Sequence, residues 1–377
     1  MRMRLFSAVV FSLAFLAGSA SAATHHTRHT NHARHTPSQE LTASSIGEAR
    51  PGVKADKSAL IVKAEVLLDR QHYSPGVIDG HDGDNFHNAL RAFQQAANLQ
   101  GSGAIDDETW NALAGSDSEP LLTSYSISQA DVAGPYESRI PAKLEQMAKL
   151  KGLSYKSPSE ELAEKFHMSE EFLRELNPGG RFDRVGEKIM VANVEPMELR
   201  SGRDTVEAAV PKKRGDAPKV DTVVVDKAAR NVRAYGKDGK LLGFYPATIG
   251  STEKPAPTGT FAVKRVAWNP DYHYNPKFAW KHVKARRPLT IRPGPNNPVG
   301  LVWIDLTAPS YGIHGTPDPD KIGKTESHGC IRLTNWDALD LAAMVHRGTT
   351  VRFEDNDSPV VPMASEQPAD QSSNNSH

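Results

Sequence analysis

The sequence predicts a multidomain chain with three ordered parts: a small all-α N-terminal module, a small α/β spacer module, and a β-rich α+β C-terminal domain. Three observations lead there. Apolar residues recur at helical spacing in residues 57–115 and again within 150–195. From Val220 onward the pattern changes to short β-branched and aromatic runs separated by Gly, Pro, Asn and Asp. Polar stretches without periodicity separate the parts at 23–56 and 196–219 and close the chain at 356–377, and these read as disordered linkers and tail.

The first 22 residues read as an export signal. Arg2 and Arg4 form a positive start, Leu5 to Leu16 an apolar core, and Ala20-Ser21-Ala22 a small-residue cleavage site. The competing reading is a membrane anchor, but a run of about twelve apolar residues falls short of the roughly 20 that span a bilayer. No later stretch approaches that length, so the expectation is an exported protein of the periplasm or cell wall, with no transmembrane anchor after signal cleavage. The 45 basic and 45 acidic side chains become 43 and 45 once Arg2 and Arg4 are removed, a net charge of −2. That balance gives no argument for nucleic acid as a partner. In the 23–56 linker, His25, His26, His29, His32 and His35 read as a solvated spacer or, alternatively, as a metal-collecting run without a scaffold to fix ligand geometry.

The first module carries three helical stripes. Ile61, Ala64, Val66, Leu67 and Leu68 form one, Ala89, Leu90, Phe93, Ala96 and Ala97 the second, and Thr109, Trp110 and Leu113 the third. Between the first two lies the turn Ser74-Pro75-Gly76 and Ile78-Asp79-Gly80. Tyr73 to Gly80, Ala89 to Gln94 and Asp106 to Leu113 resemble a peptidoglycan-binding domain of the three-helix type, with His81-Asp82-Gly83-Asp84-Asn85 replacing the family's usual Phe-Gly loop. In the second module, Leu162-Ala163, Phe166, Phe172-Leu173 and Leu176-Asn177-Pro178 precede a strand led by Gly186. This segment resembles a degenerate LysM glycan-binding repeat, and a plain helical spacer is the alternative.

In the C-terminal domain, residues 220–355, the expected strands are Thr222–Val225, Asn231–Tyr235, Lys240–Tyr245, Thr260–Ala267 and Leu301–Leu306. A helix follows Thr334, a plausible N-cap with Asp337 three residues on, and a last strand runs from Thr349 to Phe353. The chain's single cysteine lies in this domain, in Ser327-His328-Gly329-Cys330-Ile331-Arg332. A lone cysteine makes no internal disulfide, which leaves a reactive thiol, a metal ligand, an intermolecular bridge or an accident.

A thiol nucleophile needs a base or a positive field beside it. His314 lies sixteen positions earlier in Tyr311-Gly312-Ile313-His314-Gly315, suited to presenting its ring at a strand end, with the Gly315 carbonyl available to orient it. His328 would share a face with Cys330 if the segment is extended. Gly329 opens space beside the sulfur, and the N–H groups of Gly329 and Cys330 could form an oxyanion hole. Zinc held by Cys330, His314 and His328 is the rival arrangement, although one glycine between two ligands is an unusual spacing. Lys277, Lys281, Lys284, Arg286, Arg287 and Arg292, bordered by Trp268, Tyr272, Tyr274 and Trp280, form either a lid that attracts substrate carboxylates or a solvated basic loop.

With these residues in view, segment 220–355 resembles the L,D-transpeptidase (YkuD) catalytic domain. His314-Gly315-Thr316, Gly323 and Ser327 to Arg332 carry the family signature, and Pro257 to Phe261 and Asn297 to Gly300 fit its upstream pattern. The resemblance implies that Cys330 attacks a peptidoglycan tetrapeptide stem and releases its terminal D-Ala. His314 would serve as base and then acid, Gly315 as its orienting partner, and His328 and Gly329 would shape the oxyanion environment. Ser327 and Tyr311 would contact substrate, and Arg332 would help hold the substrate or the motif itself, with an exposed strand charge the alternative. An amine acceptor, a neighbouring stem or a wall-attached protein, would resolve the acyl-enzyme. The resemblance also implies acylation by carbapenems and calls for no cofactor and no metal. A thiol L,D-carboxypeptidase or hydrolase of the same fold, and a non-catalytic wall-binding protein, are the alternatives.

Overall fold

The computed structural model describes residues 41–52, 57–115, 117–197, 217–278, 285–327 and 329–355. The export signal, the histidine run, most of the 196–219 linker, the tail and His328 lie outside the described residues. One stretch assigned above to a disordered linker is ordered. Residues Ala43–Glu48 form helix α1, closed by a capping box between Thr42 and Ser45. Leu41, Ile46 and Ala49 are buried against the spacer module. Three apolar side chains suffice to dock a single helical turn even when the surrounding composition is polar.

The first module comprises α2 (Lys57–Arg70), α3 (Asp84–Ala96) and α4 (Asp107–Ala114). Helix α2 has two apolar faces. Ile61, Ala64, Leu67 and Leu68 pack with Leu90, Phe93 and Leu113, whereas Ala59, Val62 and Val66 join a second core. A helix that is apolar on both sides must be covered on both sides, which forces the modules together.

That second core belongs to the spacer module: β1 (Leu122–Ser126), α5 (Gln129–Ala133), α6 (Leu144–Met147), α7 (Pro158–Lys165), α8 (Glu170–Leu176) and β2 (Lys188–Ala192). Strands β1 and β2 pair antiparallel, Leu122 opposite Ala192, so half of this ribbon precedes residue 150. Ser157 and Ser169 cap α7 and α8, and Pro158 occupies the first turn of α7, where its missing N–H costs nothing.

The C-terminal domain is built from β3 (Thr222–Asp226), β4 (Asn231–Tyr235), β5 (Leu241–Pro246), β6 (Thr248–Ile249), β7 (Gly259–Trp268), β8 (Tyr272–Tyr274), β9 (Leu289–Ile291), β10 (Val302–Leu306), β11 (Gly312–His314), β12 (Ile331–Arg332), α9 (Asn335–Met344) and β13 (Thr350–Glu354). A nine-stranded mixed sheet runs in the order β5-β4-β3-β13-β7-β10-β11-β12-β6, and β8 and β9 form a separate two-stranded ribbon. The predicted cap is present, with the Thr334 side chain accepting from the Asp337 N–H.

The turn at 72–80 joins all three modules. On one side Ser74 N–H donates to Phe244 O and Phe244 N–H to His72 O, both at 2.9 Å, which covers the β5 edge of the large sheet. On the other side Ile78 N–H donates to His167 O at 2.8 Å and Ser169 N–H to Ile78 O at 3.1 Å. Phe244 itself is buried in the core of the first module.

Candidate active site

Strands β11 and β12 lie side by side and parallel, with Ile313 opposite Ile331 and His314 opposite Arg332. This pairing carries the segment around His314 and the segment around Cys330 to the same place, although sixteen residues separate them. The residue before each paired isoleucine is Gly312 on β11 and Cys330 ahead of β12, and the Cys330 thiol donates to Ser310 O at 3.9 Å.

His314 is buried, and its Nδ1 lies 2.7 Å from Gly315 O. A carbonyl only accepts, so Nδ1 carries the hydrogen and Nε2 is left with the lone pair. The Trp303 ring stacks on the imidazole, with centroids 5.3 Å apart and planes 18° from parallel. Burial, with help from the Arg332 charge, pulls the His314 pKa down to about 3, against the opposing hydrogen bond to Gly315. The ring is therefore neutral at rest.

Burial also raises the Cys330 thiol above its ordinary value, while the Gly312 N–H and the charges of Arg332 and Lys254 oppose it. Thiol and imidazole thus both rest uncharged, and deprotonation of the sulfur accompanies attack. Arg332 is half-buried, and its charge and that of a Cys330 thiolate act on each other. Tyr272 is another close neighbour: burial first, and a thiolate at Cys330 second, push its pKa up to about 12. The β8–β9 ribbon therefore brings an aromatic hydroxyl to the site.

Other expectations need correction. Ser327, assigned to substrate, is 1 % exposed, and its hydroxyl donates to Cys330 O at 2.5 Å while accepting from the Gly329 N–H at 3.3 Å. It braces the turn instead of meeting substrate. The same bond engages the Gly329 N–H within the turn. Gly329 has a φ of +103°, so the segment is not extended there. Any Cβ at this position would also approach the Tyr311 ring to 2.9 Å. Glycine is required here by backbone sign and by Tyr311, whose hydroxyl donates to Pro255 O at 3.3 Å.

Of the basic stretch, Arg286, Arg287 and Arg292 are exposed, Arg292 lies 4.0 Å from Asp271, and Trp280, Lys281 and Lys284 are outside the described residues. Tyr274 is buried and donates to Ala285 O at 3.1 Å. Trp268 packs on the domain core. Among the described residues no group of three His, Cys, Asp or Glu side chains is placed to hold a metal ion.

Sequence reasoning missed Trp303 and Asn335, and placed Tyr272 only beside the basic stretch and Gly312 only within the His314 segment. Asn335 is fully buried, and its Oδ1 accepts from the Leu301 N–H at 3.2 Å directly behind Gly315. Its position one residue after a helix cap gave no sign of this.

Residues 220–353 match the L,D-transpeptidase catalytic domain family, and residues 57–113 match a peptidoglycan binding domain family. Curated relatives include the L,D-transpeptidase YkuD of Bacillus licheniformis, 28% identical over 194 residues covering 51% of this chain and 90% of that protein. Another is YqjB of Bacillus subtilis, named as an L,D-transpeptidase, 33% identical over 142 residues, 36% of this chain and 73% of that one. YbiS of Escherichia coli, named likewise, is 33% identical over 136 residues, and this chain spans 44% of its length. A solved structure of Mycobacterium tuberculosis L,D-transpeptidase 1 is 18% identical over 35% of this chain and 60% of that one, with a TM-score of 0.27.

Proposed function

The chain belongs to the L,D-transpeptidase family, and we propose that it is an exported cysteine acyltransferase acting on peptidoglycan stem peptides, with Cys330 as nucleophile and His314 as base. As the sulfur attacks the carbonyl before the terminal residue of a donor stem, Nε2 of the neutral His314 takes the thiol proton. The Cys330 N–H, with Arg332 close by, holds the developing oxyanion. His314, cationic for that interval and steadied by Gly315 O, returns the proton to the departing amine, so the C–N bond breaks and a thioester remains. An acceptor amine then attacks the thioester. His314 removes its proton and passes it to the leaving sulfur, which restores the resting pair.

The observation that carries this reading is the fixed tautomer of His314. Gly315 O commits Nδ1 to donation and leaves Nε2 as the acceptor, on a strand paired with the one that follows Cys330. The peptidoglycan binding module matched at 57–113 keeps the enzyme on its polymeric substrate. The test is mass spectrometry of products after incubating purified protein with defined tetrapeptide stems, with and without an amine acceptor. Crosslinked dimers that require the acceptor support transfer. Only trimmed tripeptides in both cases would identify a hydrolase instead, and unchanged stems would overturn the acyl-transfer reading.

A further inference from the structure

We propose that Glu164, on α7 of the spacer module, is a positioning residue for the His314 base, acting through Asn335 and Gly315. The inference rests on the assignment of His314 above. The Asn335 amide occupies the space behind the catalytic strand: an ideal Cβ on Gly315 would come within 2.3 Å of its Oδ1, and one on Gly300 within 2.2 Å. Both glycines therefore admit the amide, and the amide in turn backs the residue whose carbonyl holds the His314 ring.

Asn335 is itself held from outside the catalytic domain. Its Nδ2 donates to Glu164 Oε2 at 2.9 Å and to Pro295 O at 3.3 Å, while Oδ1 accepts from Leu301 N–H at 3.2 Å. Glu164 is 4 % exposed, and the groups facing it are Tyr155, Glu160 and Lys156. Burial, with Glu160 adding to it, raises the Glu164 carboxyl to about 8 against its bonds to Asn335 and Tyr155, so at neutral pH it is mostly a neutral acid whose Oε2 accepts from both Asn335 and Tyr155. One turn earlier, Glu160 Oε2 accepts from Asn296 Nδ2 at 3.2 Å. Two carboxyls spaced i, i+4 on one helix thus meet two buried asparagines of the catalytic domain. Apolar packing tolerates small slides between surfaces, whereas a directional, fully buried amide–carboxyl contact specifies one docking position. Removing Glu164 leaves a buried N–H of Asn335 without its partner and frees the amide to turn, which loosens Gly315 and with it the hydrogen bond that sets the tautomer.

The test compares Glu164→Ala, Glu164→Gln and Asn335→Asp in the full chain, each assayed well below its own melting temperature. We expect Glu164→Ala to lower kcat by about tenfold or more, short of the ~10⁴-fold cost of a wholly wrong tautomer, with KM changed less than about twofold. The 15N shifts of the His314 ring, assigned by difference from a His314→Gln protein, should move from a single Nδ1–H tautomer to a mixture. Glu164→Gln keeps an acceptor for Asn335 and should restore both readouts. Asn335→Asp keeps Oδ1 for Leu301 but removes the donor, so it should mimic Glu164→Ala, and adding Glu164→Ala to it should cost little more. An unchanged kcat and tautomer in Glu164→Ala, or a Glu164→Gln protein as impaired as the alanine variant, overturns the inference. Absence of acyl transfer in the unaltered protein would instead strike the function reading, and the ring spectra would still decide the positioning role.

Discussion

Replacing Gly315 with alanine isolates the link between packing and chemistry in this site. Its ideal Cβ would lie 2.3 Å from Asn335 Oδ1, about 0.7 Å short of the 3.0 Å that real Cβ contacts respect. The amide cannot easily yield, because Oδ1 and Nδ2 are both engaged. The strand end must therefore move. A shift of that size away from His314 would stretch the 2.7 Å contact between Nδ1 and Gly315 O to roughly 3.4 Å, beyond the usual 2.7–3.2 Å for N–H···O bonds. Overpacking of this kind costs about 1–3 kcal/mol of stability, and a misplacement approaching 1 Å in a catalytic group costs up to ~10²-fold in rate. The assay is single-turnover formation of the acyl-enzyme, followed by intact-protein mass, beside thermal melting. Acylation within twofold of the unaltered protein, at an unchanged melting temperature, would refute the reasoning about both the contact and the tautomer.

Other outcomes follow from the same geometry. With the His314 imidazole neutral down to about pH 3 and the thiol protonated past its ordinary value, the acylation rate should be flat from about pH 5 to 8, measured by stopped-flow with a carbapenem; a limb near 6.5 would mean an unperturbed histidine. Glu164 and Asp337, both raised to about 8 chiefly by burial, keep protons in the folded state that the unfolded chain releases near its ordinary carboxylate value. His167, raised by Asp69 against the cost of burial, acts in the same sense at higher pH. Below about pH 6.5 His314 works the other way, because the unfolded imidazole binds a proton that the buried ring does not, so stability should fall most clearly from about pH 6.5 to 8, by up to ~1.4 kcal/mol per pH unit per retained proton. Denaturant melts should show a shallower slope for Glu164→Gln, and a slope that is flat or rising in the native protein would contradict these assignments. Phe244→Ala should cost about 3–5 kcal/mol and expose the seam of the first module to protease, because this β5 side chain sits in the core of α2–α4; a loss under about 1 kcal/mol would deny the shared core.

Much of this was legible because it is local. The Thr334 cap, the helical stripes of 57–115 and the strand at Asn231–Tyr235 each follow from neighbours a few residues away. The spacing of His314 and Cys330 was readable too, as a motif, although only the β11–β12 pairing explains why sixteen intervening residues bring them together. What stayed hidden was long-range and polar. Glu164 reads as an ordinary helix-surface carboxylate, yet it is buried against a residue 171 positions away. The turn at 72–80 reads as a peptidoglycan-binding signature, and nothing local indicates that its backbone also completes the edge of the large sheet. The resemblance placed Ser327 against substrate, whereas its hydroxyl is engaged inside the turn with Cys330 O and the Gly329 N–H. Asn335 was missed for a related reason: the space it fills is defined by two glycines, Gly300 and Gly315, that propensity treats as breakers.

The whole account depends on a covalent bond forming at one sulfur. Incubating the protein with a defined tetrapeptide donor, quenching in acid and mapping the peptides by mass spectrometry tests that directly. A thioester on Cys330 carrying the donor less its terminal residue, absent from a Cys330→Ala protein that melts normally, is the predicted result. Turnover that persists in Cys330→Ala, or an adduct on any other residue, would contradict it.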